Sequence, residues 1–134
     1  MAKIVEIEGI GPVYAEKLTK IGVVTVENFL EKGASKSGRK EMAADSGIDE
    51  GKILDWVNMA DLFRVKGIGP QFAELLEAAG VDTVKELRNR NAENLHAKLT
   101  EIQEAKKLTK VVPALSRIED FIEQAKNLPP VVTY

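Results

Sequence analysis

The chain has 134 residues, 44% of them apolar and 30% charged, enough for one compact domain or two very small ones and too apolar for a disordered segment. Its net charge of −2 and pI near 5.5 lack the basic excess of a protein that lives on nucleic acid, so electrostatics alone predicts weak phosphate affinity. The absence of cysteine excludes disulfides, thiolate nucleophiles and thiolate-held metals, and no run approaches the roughly 20 apolar residues of a membrane span, so a cytoplasmic protein with no membrane partner is expected.

In chain order, MAKIVEIEGI has no apolar core of a signal peptide. The phrase EGIGPVYAEKLTKIGVVT (8–25) then places Gly11 at a helix N-cap and Pro12 at the first helical position, where a missing N–H costs nothing. Tyr14, Leu18 and Ile21 share one helix face. Gly22 stops that helix, because the position after a helix favours a left-handed residue, and Thr25 caps the next one. GRKEMAADSG (38–47) is a short helix ending in a glycine turn. DEGKILDWVNMADLF (49–63) is a longer one with an acidic start and an inward face of Ile53, Trp56, Val57 and Ala60. KGIGPQFAELLEAAGVDT (66–83) repeats the opening phrase, with Gly69, Pro70, a face of Phe72, Leu75, Leu76 and Ala79, a stop at Gly80, and Thr83 with Glu86 as a capping box. AENLHAKL (92–99) predicts a helix, TEIQEAKKL a new one opened by Thr100 and Gln103, and Pro113 a break. SRIEDFIEQAKNL restarts at Ser116 with Glu119, and PPVVTY closes in an extended tail. No sustained alternation of apolar and polar residues occurs, so the expected fold class is all-α, duplicated units packed as a compact helical domain.

The two phrases lie 58 residues apart, and eleven of the eighteen positions in 9–26 and 67–84 are identical without a gap. LDWVNMADL (54–62) and EDFIEQAKNL (119–128) correspond more faintly, Trp56 to Phe121 and Val57 to Ile122, at an offset of 65. The chain therefore reads as a duplication, 1–62 and 63–134. The second unit carries an insertion near 102–112 and the extended tail.

Two glycines clear Cβ atoms from each turn, and the helix N-terminus that follows offers free N–H groups and partial positive charge, a place for an anion such as phosphate. Ile10 and Ile68 point back to pin the turns to the core. A plain tight connector is the other use of the same geometry. VKGIGPQFAELLEAAGV resembles the helix-hairpin-helix motif, with 49–63 as first arm, 66–69 as hairpin and 70–79 as second arm. That resemblance implies hairpin amides, of Gly67, Ile68 and Gly69 and of Gly9, Ile10 and Gly11, that hold a DNA backbone phosphate without reading sequence, in some members with a bound monovalent cation. DNA-binding members usually carry Lys or Arg after the hairpin, where this chain has Val13 and Tyr14, then Gln71 and Phe72. Glu8 and Glu6 would repel a phosphate at the first turn, whereas Lys66 and Arg64 flank the second and Gln71 can donate there, so the second is the expected contact. The tandem arrangement also resembles a bacterial family of tandem helix-hairpin-helix proteins of unknown function, over nearly the whole chain, WVNMADL and PPVVTY included.

Lys106, Lys107, Lys110 and Arg117 form the most basic patch, read first as a solvated face and second as extra phosphate contact beside the second hairpin. Trp56 and Phe121, at matching positions, read as core rather than as stacking platforms. His96 is the only histidine and has no second ligand in view, so no metal is expected. Catalytic residues are likewise not expected: there is one His, no Cys and no Ser in a nucleophile elbow, and Glu16 and Glu74 recur where a helix favours acidic residues. The expected function is a non-enzymatic, weak, non-sequence-specific nucleic-acid-binding module without a cofactor. The alternative is a protein-interaction or scaffold domain that keeps the fold without phosphate binding, which the acidic pI and Glu8 favour. The sequence does not fix the oligomeric state.

Overall fold

A computed structural model describes residues 2–108 and 111–134; Lys110 of the basic patch lies outside them. Among the described residues the chain is all-helical, as its periodicity requires. A single 3-10 turn (Ile4–Glu6) precedes α1 (Pro12–Lys20), α2 (Val26–Gly33), α3 (Lys36–Ser46), α4 (Glu50–Leu62), α5 (Pro70–Ala78), α6 (Val84–Arg88), α7 (Ala92–Lys106) and α8 (Leu115–Asn127). Among the described residues, extended pairing is confined to an isolated antiparallel bridge between Lys3 and Thr25. The chain divides into two units, one running to Asp61 and including Val131–Tyr134, the other Leu62–Pro130.

In the first unit Gly11 is the extended N-cap of α1 and Pro12 its first residue. Beyond α1, Gly22 has φ +86, its N–H donates to Thr19 O (3.0 Å), and Val23 N–H donates to Leu18 O (2.9 Å). These two bonds close the last carbonyls of α1 and need the left-handed residue that glycine supplies. Thr25 Oγ1 then accepts from Asn28 N–H (3.1 Å) and starts α2. Ser35 Oγ does the same for α3, accepting from Gly38 N–H (3.1 Å). Leu18, Val23, Phe29, Ile53 and Val57 are buried completely. Gly33 is buried where α2, α3 and α4 converge; a Cβ there would overlap Val57 Cγ2 and stand 3.0 Å from Met42 Cε.

The second unit makes the same bonds 58 residues on. Gly80 (φ +89) donates to Glu77 O (2.9 Å), Val81 to Leu76 O (2.9 Å), and Thr83 Oγ1 accepts from Glu86 N–H (3.2 Å). Its core gathers Leu62, Val65, Leu75, Leu76, Val81, Val84 and Leu87 with Leu95, Leu99, Ile118 and Phe121. Helices α4 and α8 have equal length and start 65 residues apart, the offset at which Trp56 and Phe121 correspond.

Three expectations change. Thr100 does not open a helix: α7 is continuous, and Thr100 Oγ1 donates back to His96 O (2.9 Å). Continuity keeps Leu95, Leu99 and Ile102 on one face against the core, and that periodicity outweighs the local cap pattern. Ser116 does not cap α8 either. The N-cap is Ala114, with no side-chain bond, and Ser116 is exposed in the first turn. The last four residues group with the first unit, whereas the repeat boundaries place them with the second: Thr133 N–H donates to Ala34 O (2.7 Å) and Arg39 Nη2 to Thr133 O (2.6 Å).

Candidate nucleic-acid interface

Each Gly-Ile-Gly-Pro turn is laid down by two successive reverse bonds. In the second unit Val65 N–H donates to Leu62 O (3.1 Å) and Ile68 N–H to Val65 O (3.2 Å); in the first, Ile7 donates to Ile4 O and Ile10 to Ile7 O, both at 3.1 Å. Ile68 and Ile10 are buried and anchor the turns. Gly67 and Gly9 have φ of +99 and +96, and both lie against an aromatic ring from the repeat-equivalent helix. A Cβ on Gly67 would stand 2.9 Å from Phe121 Cε1, and one on Gly9 would stand 2.9 Å from Trp56 Nε1. Behind these rings a second aromatic is packed, Phe72 against Phe121 (centroids 6.4 Å apart) and Tyr14 against Trp56 (5.0 Å). Trp56 and Phe121 are therefore supports beneath the turns, buried as expected.

Next come the helix N-termini. Gly69 and Gly11 are N-caps without a side chain, so the first turns of α5 and α1 are uncapped. Among the described residues, the amides of Gly67, Gly69, Gln71 and Phe72 meet no acceptor in the chain, nor do those of Gly9, Gly11, Val13 and Tyr14. Gly67, Gly69, Pro70, Gln71 and Phe72 line an open groove of about 370 Å³. Of the sequence-predicted residues, Gly67, Gly69 and Gln71 line this groove, whereas Ile68 is buried beneath it.

The surroundings of the two turns differ. Lys66 is exposed, and Arg117 of α8 leans over the second turn. Its Nη2 stands 2.8 Å from the place of a Gly67 Cβ, and its guanidinium lies 5.5 Å from the Phe121 ring centre. Of the basic patch, Arg117 is the member seated at the second turn; Lys106 and Lys107 are exposed at the C-terminal end of α7, Lys107 with φ +51. Arg64 is half-buried and donates to Pro129 O (2.6 Å), which ties the approach to the turn to the chain after α8. Gln124 brackets Lys66: its Oε1 accepts Lys66 N–H (2.8 Å) and its Nε2 donates to Lys66 O (3.0 Å) and Asp120 Oδ2 (2.8 Å). At the first turn Glu6 and Glu8 are exposed, Glu6 Oε2 accepting from Lys3 N–H (2.7 Å), and Met59 stands where Gln124 stands in the second unit.

Gln124 escapes a reading of the sequence because a lone glutamine in an amphipathic helix carries no motif. The only signal is Met59 and Gln124 facing one another in the repeat alignment. Arg117 is visible as part of a charge cluster but not as a neighbour of Gly67, since that contact joins residues 50 apart in the chain. His96 is half-buried, and among the described residues no cluster of acidic and histidine side chains could hold a metal.

Fold and site together define a small all-helical domain with two uncapped, glycine-built helix entrances, one flanked by acidic and one by basic side chains. The chain belongs to the family described as domain of unknown function DUF4332, which it matches over residues 8–128. Neither a curated protein nor a solved structure matches it. None of its described helices is long and apolar enough to cross a membrane.

Proposed function

We propose that the two units are helix-hairpin-helix modules and that the second binds the backbone of nucleic acid, weakly and without sequence preference. One observation carries the reading: among the described residues, four free amides at the mouth of α5 lie beside Arg117 and follow the exposed Lys66 in the chain. Amides and a helix N-terminus favour an anion, and the two cations add charge where a phosphate would sit. Amides that face phosphate oxygens carry no base information. Gln124 holds the Lys66 peptide, and Arg64 holds the approach through Pro129, so both act by positioning. The reading involves no catalysis and no cofactor.

The test is a titration of short duplex DNA at roughly 50 mM salt, repeated at rising salt. Wild type should bind with a log–log salt slope of about −1 to −2, the signature of one or two neutralised phosphates. Lys66→Glu and Arg117→Ala should each abolish most of the binding, and Glu8→Lys should strengthen it. No binding by wild type, or equal binding by all four proteins, refutes the reading.

A second reading, a protein-interaction surface, draws on the first unit. There Glu6 and Glu8 are exposed together with Val5 (52%), Val13 (66%) and Val24 (48%), a combination that fits a protein partner better than a phosphate. Failure of the DNA titration would leave this reading in place.

A further inference from the structure

The first unit grips an extended piece of its own chain through a buried cation. Arg39 is only 3% exposed, and among the described residues its partners are carbonyls and a ring rather than a carboxylate. Nη1 donates to Gly33 O (2.9 Å) and Ala34 O (3.1 Å), at the end of α2, where the helix dipole adds negative charge. Nη2 donates to Thr133 O (2.6 Å). The bonds of Nη1 hold the guanidinium in place whether or not Thr133 is there, so Nη2 is a preformed donor.

The rest of the grip reads main chain and one side chain. Ala34 O accepts both Thr133 N–H (2.7 Å) and Thr133 Oγ1–H (3.3 Å), so Thr133 has its amide and its carbonyl paired, as a residue in a strand does. Tyr134 O–H donates to Oδ1 of Asn58 (3.1 Å), a side chain 6% exposed, and the tyrosine ring lies 5.8 Å from the Arg39 guanidinium carbon. Beside the tyrosine ring lies an open pocket of about 350 Å³, lined by Lys36, Arg39, Glu50, Leu54 and Tyr134 itself.

The two halves of this contact are unequal. Arg39, Asn58 and Gly33 are buried, Arg39 also held at the end of α2, whereas Thr133 and Tyr134 are exposed, Tyr134 by 66%. A segment that buries little apolar surface opens at low free energy. Its departure uncovers the Arg39 Nη2 donor and the Asn58 Oδ1 acceptor to water, and an incoming segment can take up the two hydrogen bonds it vacates. We propose that the surface formed by Ala34 O, Arg39 and Asn58 is a peptide-binding site, occupied in the isolated chain by residues 131–134. Its external ligand is an extended segment of another protein in which a tyrosine follows a residue with a free N–H and C=O. Recognition would combine main-chain pairing, as in strand addition, with one pocket for a phenol. None of the residues of the second turn takes part, so the proposal stands apart from the nucleic-acid reading.

The probe is the peptide Pro-Pro-Val-Val-Thr-Tyr with both ends blocked, titrated into the full chain by amide NMR. Saturable shifts are expected at Ala34, Arg39 and Asn58, with tighter binding to Tyr134→Ala than to wild type, whose own segment competes. A peptide methylated on the threonine nitrogen, and one with phenylalanine for tyrosine, should each bind about three- to tenfold more weakly, the weight of one hydrogen bond. The absence of saturable shifts with Tyr134→Ala, or equal affinity for the three peptides, would overturn the proposal. Because the decisive changes are in the peptide, loss of binding is not confused with loss of fold.

Discussion

Four glycines with nearly equal φ make a controlled experiment on what a Cβ costs. Gly9, Gly22, Gly67 and Gly80 have φ between +86 and +99. Alanine at any of them meets the backbone penalty of a left-handed L-residue, about 1–2 kcal/mol. Their surroundings differ. At Gly22 and Gly80 the nearest atoms to a new Cβ are the ends of flexible side chains, Lys32 Nζ and Arg90 Nη2, both 3.6 Å away, which is ordinary contact. At Gly9 and Gly67 the Cβ would stand 2.9 Å from the ring of Trp56 or Phe121, each buried and packed against a second aromatic. Moving such a ring adds an overpacking cost of about 1–3 kcal/mol. The expected losses are therefore about 1–2 kcal/mol for Gly22→Ala and Gly80→Ala, against about 2–5 kcal/mol for Gly9→Ala and Gly67→Ala. Urea unfolding reads the difference: with a slope of roughly 2 kcal/mol per M, midpoints should fall by about 0.5–1 M and about 1–2.5 M respectively. Gly9 and Gly22 share one unit, Gly67 and Gly80 the other, so each comparison holds whether or not the units unfold together. Equal losses within either pair would show that the aromatic beneath the turn does not constrain it.

Two further outcomes test the frame of the fold. Thr25→Ala and Thr83→Ala should each destabilise by about 1 kcal/mol, since each removes the one side-chain acceptor at the start of its helix, and thermal unfolding would show it. Gly33→Ala should reduce stability by about 1–3 kcal/mol although its helix is regular there, because the added methyl overlaps Val57; Gly11→Ala, with φ −82 and no atom within 4 Å, should change stability by well under half as much in the same urea assay.

What the sequence discloses here is the part of the structure that is local. The Gly-Pro entrance, the helix face of Leu75, Leu76 and Ala79, the stop at Gly80 and the cap at Thr83 all depend on neighbours within a few residues. So does the left-handed conformation at Gly22 and Gly80, which the helix-stop pattern requires. Thr100 and Ser116 mislead for the same reason in reverse, since a short polar pattern resembles a cap wherever it falls. Only the core decides that Leu95, Leu99 and Ile102 must lie on one unbroken face. The grip of Arg39 on Thr133 spans 94 residues and that of Gln124 on Lys66 spans 58. Such bonds leave no periodicity, because each needs only one polar side chain placed by the fold.

That division bears on what the two turns can do. Their backbones make the same bonds and leave the same amides free, so any difference in ligand binding between them must come from side chains. Two positions differ in kind: Glu8 stands against Lys66 before the turn, and Met59 against Gln124 on the helix behind it, where Lys52 and Arg117 are both cations. At Gly9 the nearest atoms to a new Cβ all belong to Trp56, whereas at Gly67 an arginine nitrogen is among them. A cation beside the amides acts on an anion directly, whereas Gln124 acts only by fixing the Lys66 peptide at both its N–H and its C=O. Exchanging Glu8 and Lys66 alone should therefore move charge without moving geometry, while exchanging Met59 and Gln124 should move geometry without moving charge. If anion binding follows the first exchange and not the second, the second turn is selected by its field. If it follows the second, preorganisation of the amides matters more than the charge beside them.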